Sequence, residues 1–217
     1  MTTFTKRAFL VATTFLSAGC FNAVDEVPGE DAGTPVLPAL PRTCGTPGEP
    51  IKYYPWDPQF DGCVIFAGNL RVTVNPPHTD LPPPGGVREV DGALEVMFNE
   101  SLQNLRGFET LVRVGDLVIN ENRGVLSLTS LSSLRSVRFL QLFSNYKMQS
   151  LEGLSGIETL EGLVIEQNAE LRSLSGLSGL KHVRGDVIIR ANDALPTSEI
   201  TAFRARVKVD GNFVTRF

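Results

Sequence analysis

The sequence predicts a mainly β solenoid of six to seven stacked coils, each 23–24 residues long. Two patterns predict it. The motif apolar-x-apolar-x-x-Asn runs from Leu70 to Asn75, Leu94 to Asn99, Leu117 to Asn122, Leu140 to Asn145, Leu163 to Asn168 and Val187 to Asn192, with starts separated by 24, 23, 23, 23 and 24 residues. After the Asn, apolar residues recur every third position, as in Leu171, Leu174, Leu177, Leu180 and Val183. Composition agrees: 42% apolar residues and a formal charge of −4 are wrong for a disordered chain, and 24 acidic against 20 basic residues argue against nucleic acid as a partner.

The first residues lie outside the repeats. Lys6 and Arg7 precede an apolar run from Ala8 to Leu16, and Ser17, Ala18 and Gly19 lead into Cys20, the arrangement of an export signal over residues 1–19. The run is shorter than the roughly 20 residues of a membrane span. Leu16-Ser17-Ala18-Gly19-Cys20 resembles the lipobox of a bacterial lipoprotein, with Leu one position further out than usual. The resemblance implies that Cys20 becomes the lipidated first residue, which makes the membrane a partner through the N-terminal lipid. Ordinary cleavage after a small residue is the alternative. Phe21 after the cysteine, in place of Asp, suggests outer-membrane sorting by analogy.

Removing residues 1–19 takes away two cations and no acid, so the charge moves to −6. With Cys20 lipidated, Cys44 and Cys63 remain, and an oxidising compartment favours a disulfide between them over a free redox pair, since no CxxC is present. Residues 20–43 are acidic, Pro-rich and aperiodic, and form either a tether or a leader without mechanical purpose. The folded domain is expected over residues 44–217.

Each coil starts with a strand whose alternate residues, such as Leu117 and Ile119 or Leu163 and Ile165, point inward. The period-three stretch suits short turns that keep one face on a continuous core, with Gly107, Gly153, Gly156, Gly176 and Gly179 at corners that need unusual backbone angles. The column Asn75, Asn99, Asn122, Asn145, Asn168 and Asn192 is read as structural. An inward amide at the end of a strand satisfies backbone groups at a bend and the amide of the next coil.

The run Phe60-Asp61-Gly62-Cys63-Val64-Ile65-Phe66-Ala67-Gly68-Asn69-Leu70-Arg71-Val72, with units such as Gly115-Asp116-Leu117-Val118-Ile119-Asn120-Glu121-Asn122, resembles the receptor L domain, over about residues 44–217. That resemblance implies a leucine-rich, right-handed β-helix of the kind found in growth-factor-receptor ectodomains and bacterial surface lipoproteins. A single cysteine pair without a cysteine-rich module does not imply hormone binding. An ordinary leucine-rich repeat is the runner-up, on Val114-x-x-Leu117-x-Ile119-x-x-Asn122.

Pro196-Thr197-Ser198-Glu199 is a helix start with a capping hydroxyl, and Ile200, Phe203 and Val207 share a face that closes the stack. Val207 to Asn212 is expected as one more, irregular strand, and Arg204, Arg206, Lys208 and Arg216 as a solvated basic cap.

Function is left to outward residues. Met97, Val118, Phe143, Val164 and Ile188 form an expected apolar stripe, rimmed by Glu95, Asn120, Gln141, Glu166 and Arg190, which suits a protein or glycan partner outside the cell or in the periplasm. Residues 44–62, with Tyr53, Tyr54 and Trp56, or the loop from Pro76 to Gly86, are the segments that could cover it. An enzyme is not expected: His78 and His182 lie a repeat array apart without a nucleophile motif, and the sequence suggests neither metal nor cofactor. Two readings stand, a surface binding or adhesion module and a structural envelope lipoprotein without a discrete ligand.

Overall fold

The computed structural model describes residues 41–53, 60–74 and 86–216. The signal, Cys20, most of the tether, Asn75, Tyr54, Trp56, His78 and the Pro-rich loop lie outside the described residues. The chain winds as a parallel-strand β-solenoid of about seven turns. Its strands are β1 (Thr43–Cys44), β2 (Pro50–Tyr53), β3 (Ile65–Phe66), β4 (Asn69–Val72), β5 (Glu89–Met97), β6 (Arg113–Asn120), β7 (Phe139–Phe143), β8 (Thr159–Leu160), β9 (Gly162–Glu166), β10 (His182–Val183), β11 (Val187–Arg190), β12 (Lys208–Val209) and β13 (Phe213–Arg216). Among the described residues the one α-helix, α1, spans Thr197–Arg206. One ten-stranded sheet carries the outward face, and β8, β10 and β12 make a second, three-stranded sheet.

Register follows the sequence repeat. Leu70, Leu94, Leu117, Leu140, Leu163, Val187 and Phe213 are successive partners, as are Val72, Val96, Ile119, Leu142, Ile165, Ile189 and Thr215. All but the last of each row are buried, along with the period-three residues such as Leu102, Leu105, Leu151, Leu154, Leu174 and Leu177. No coil can bury these groups alone, because each is covered by the coil above and the coil below.

The sequence places its glycines at corners for their backbone angles, and the structure divides them by two reasons. Gly107 and Gly153 have φ of 102° and 111°. Gly156, Gly176 and Gly179 have ordinary angles and are needed for space: a Cβ on Gly176 would run into the backbone of Leu151, and one on Gly179 into the carbonyl of Ser155. The left-handed positions that repeat most regularly are not glycines. Phe98, Glu121, Ser144, Gln167 and Ala191 all have φ between 53° and 59°. Each precedes an Asn. The kink breaks the two-residue alternation, so Phe98 is 65% exposed where alternation would bury it, and Asn99 turns inward.

The inward asparagines form a ladder. Asn145 Nδ2 donates to the Ile119 carbonyl at 2.6 Å and to Asn168 Oδ1 at 3.2 Å, while Asn145 Oδ1 accepts from Asn122 N at 3.2 Å and Asn122 Nδ2 at 3.1 Å. The same bonds link Asn99 to Asn122 and Asn168 to Asn192. One carboxamide thus ties three coils together. At the first described rung Asn99 Oδ1 accepts from Val74 N at 2.6 Å.

Cys44 and Cys63, 19 residues apart, form a disulfide that fastens β1 to the segment just before β3, worth about 3 kcal/mol in the chain-entropy description. The ladder already includes the Arg42 carbonyl, which accepts from Val64 N and Ile65 N, so ordered structure reaches two residues that the sequence assigns to the tether.

At the other end the helix is capped differently from the sequence expectation. Pro196 is the N-cap and no side chain caps the first-turn amides. Glu199 instead accepts from Leu174 N and Ser173 Oγ, both at 2.8 Å, which ties the helix to the preceding coil while Ile200, Phe203 and Val207 cover the core. Those bonds, the Leu174 amide first and the Ser173 hydroxyl second, hold the Glu199 carboxyl below its ordinary value. A lowered folded value means that the stabilisation is complete above the ordinary carboxylate pKa and is lost as pH falls through the lowered one. Glu199→Gln should therefore cost about 1 kcal/mol at neutral pH and flatten the loss of stability below about pH 4, read from melting temperature against pH. An unchanged acid limb would refute it.

The chain after the helix does not form one strand. Lys208–Val209 pairs with His182–Val183 in the short sheet, and Phe213–Arg216 pairs with Val187–Arg190 in the long one, because the corner between the sheets falls at Asp210 to Asn212. The basic residues are also dispersed: Lys208 pairs with Asp210 at 2.9 Å, Arg206 donates to the Leu180 carbonyl, and the Arg204 guanidinium lies 5.2 Å from the Phe213 ring centroid.

Candidate functional site

Two surfaces gather polar and apolar groups. The first is the outward face of the long sheet. Register puts Glu95, Val118, Gln141, Val164 and Ile188 in one row, continued by Arg71 at one end and Val214 at the other, and puts Met97, Asn120, Phe143, Glu166 and Arg190 in a second. The sequence draws Met97, Val118, Phe143, Val164 and Ile188 as one stripe with a polar rim. The structure distributes them over both rows, with Gln141 and Asn120 lying between apolar neighbours, because the alternate outward residues of one strand occupy different rows.

All of these except Arg190, which is exposed, are half-buried. Ion pairs bracket the apolar part. Arg71 meets Glu95 at 2.7 Å toward one end, and Arg190 meets Glu166 at 3.0 Å toward the other. At the centre, between Met97 and Phe143, the enclosed Oδ1 of Asn120 has no hydrogen-bond partner among the described residues. Residues 50–53, part of a segment that could have covered this face, are instead a strand of the sheet itself, paired with Asn69–Val72.

The second surface was not singled out from the sequence. It is an open groove of about 370 Å³ at the corner joining the two sheets, lined by Asp91, Arg113, Ser136, Arg138, Thr159 and Glu161 among others. It lies where the corners differ in length by one residue. Val114 to Leu117, Val137 to Leu140 and Leu160 to Leu163 turn this corner in three residues, whereas Val90 to Leu94 and Val183 to Val187 take four. The register slip between Val90 and Ala93 marks the change. Three tight corners thus lie between two wider ones, and the 23- and 24-residue spacings of the sequence carried that signal.

Charges in the groove are paired. Arg113 donates to Glu89 at 2.7 Å and to Asp91, which together hold its guanidinium above the ordinary value, Glu89 contributing more. Arg138 makes a two-pronged contact with Asp116 at 2.9 and 3.0 Å, and Arg184 meets Glu161 at 2.8 Å. Phe139 is 46% exposed beside this corner, its ring against Gly162, with the Arg138 guanidinium 5.5 Å from its centroid.

Of the other residues named from the sequence, His182 lies in the short sheet with Nε2 2.7 Å from Asp210 Oδ2. Asp210 is held below its ordinary value by hydrogen bonds from Lys208 first and His182 second. The exposed apolar residues Phe98, Val112, Leu126 and Tyr146 fall outside the expected stripe. Among the described residues no helix is long and apolar enough to cross a membrane. Comparison with protein families, with curated proteins and with solved structures finds no match.

Proposed function

We propose that this chain is an exported, lipid-anchored surface protein of the bacterial envelope, held in the outer membrane through Cys20, whose receptor L domain-like solenoid is a non-catalytic binding or adhesion module. The observation that carries the reading is the long sheet's outward face: an apolar centre of Met97, Val118, Phe143 and Val164, bracketed by the Arg71–Glu95 and Glu166–Arg190 ion pairs. An apolar centre within a polar rim is the anatomy of protein interfaces. The tether between Cys20 and the first strand lets the module stand away from the bilayer.

Phe143→Asp is the test. A carboxylate at the centre of the face should abolish crosslinked partner capture on intact cells while the solenoid still melts cooperatively, its melting temperature lowered by only a few degrees because the side chain is half-buried on the outer face. Unchanged capture would sink the proposal and favour a structural envelope role.

A further inference from the structure

We propose that the corner groove is a second binding site, separate from the sheet face, for a neutral, hydroxyl-rich oligosaccharide. Its size lies in the range of small-molecule clefts, about 300–1,000 Å³. Three successive corners line it, and at the spacing of stacked strands they extend over roughly 10 Å, long enough for more than a single small group.

The charge arrangement selects the ligand class. Asp91, Arg113, Arg138 and Glu161 are two acids and two bases, and each is already in an ion pair. An anion held by the arginines would lie against the carboxylates of Glu89, Asp91 or Asp116 that already pair with them, and a cation held by the acids would lie against the paired arginines. A neutral hydroxyl disturbs neither, because it donates to a carboxylate and accepts from a guanidinium at once. Arg138 spends two of its five N–H groups on Asp116 and the others bond no described residue.

Two further features point the same way. Ser136 and Thr159 line the groove with hydroxyls that bond no other described residue. Phe139 stands where the neighbouring strands have Asp116 and Gly162, and the glycine leaves room for the ring: a Cβ there would come 2.9 Å from Phe139 Cδ1. An exposed aromatic beside paired acids and bases gives a sugar ring an apolar surface for its C–H face and hydrogen-bonding groups for its edge.

The test is an array of neutral oligosaccharides together with sulfated and uronic-acid oligosaccharides, probed with the full chain. Neutral glycans should be retained with little dependence on salt. Ser136→Ala combined with Thr159→Ala, and separately Phe139→Ala, should each weaken retention about tenfold at unchanged melting temperature, since all three side chains are exposed. Phe143→Asp should bind as the wild type does, which separates this site from the sheet face. Retention of no neutral glycan, preference for the anionic probes with a steep fall in salt, or loss of binding in Phe143→Asp with the groove variants intact would each overturn the proposal.

Discussion

Asn145→Ala should lower the stability of the solenoid by about 3–5 kcal/mol, or about 10 °C in melting temperature for a domain of this size. The side chain is fully buried, and its removal leaves the Asn122 amide N–H, an Asn122 Nδ2 proton and the Ile119 carbonyl without their partners in a place that water does not reach. Asn145→Asp should be similarly damaging at neutral pH, because the carboxylate keeps the acceptor, loses both donors and buries a charge. Asn192→Ala is the internal comparison. Asn192 makes equivalent bonds, but it is half-exposed at the end of the ladder, so water can replace some of them and the loss should be smaller. Equal effects at 145 and 192 in thermal unfolding would show that ladder position is irrelevant. Any binding by the surviving fold should persist, because the ladder points inward.

Gly153→Ala should be the most damaging of the glycine substitutions, at about 3 kcal/mol or more. Its φ of 111° is one that side chains rarely adopt, and the added Cβ would run into the Leu128 carbonyl of the coil beneath. Conformation and space therefore act together. Gly48→Ala isolates the first effect: φ is 83°, but nothing lies within 4 Å of the added atom, so about 1 kcal/mol is expected. Gly176→Ala isolates the second, with ordinary φ and a clash against Leu151 backbone. Denaturant midpoints that rank Gly48→Ala as low as Gly153→Ala would show that the stacking distance yields more easily than close packing of backbone implies.

The face predicted for binding and the groove found beside it differ in how far they could be read beforehand. Outward residues follow from strand alternation, a local rule, so Glu95, Met97, Phe143 and Arg190 could be placed from a single strand. Their grouping could not, since it depends on which residue of the next coil lies alongside. That relation turned one stripe into two rows with Asn120 enclosed between Met97 and Phe143. The groove needed a comparison of corners across coils. Val114 to Leu117 is one residue shorter than Val90 to Leu94, and the difference acquires meaning only once both corners lie in the same column.

By itself, then, the sequence determined the coil. The 23–24-residue period, the inward pairs Leu117 and Ile119 or Leu163 and Ile165, and the Asn after each strand required stacked turns, because no single turn can bury its own apolar side. It also offered Cys44 and Cys63, two of its three cysteines, for the disulfide that the fold contains. Tertiary structure decided what happens between coils. It placed Phe98, Glu121, Ser144, Gln167 and Ala191 in a left-handed conformation that nothing in those side chains favours, because the inward Asn bonds two neighbouring coils only if the residue before it kinks. It divided the last segment between two sheets, and it opened the groove where three short corners meet. Each depends on contacts about 23 residues apart in the chain, and for that reason only stacking could set them.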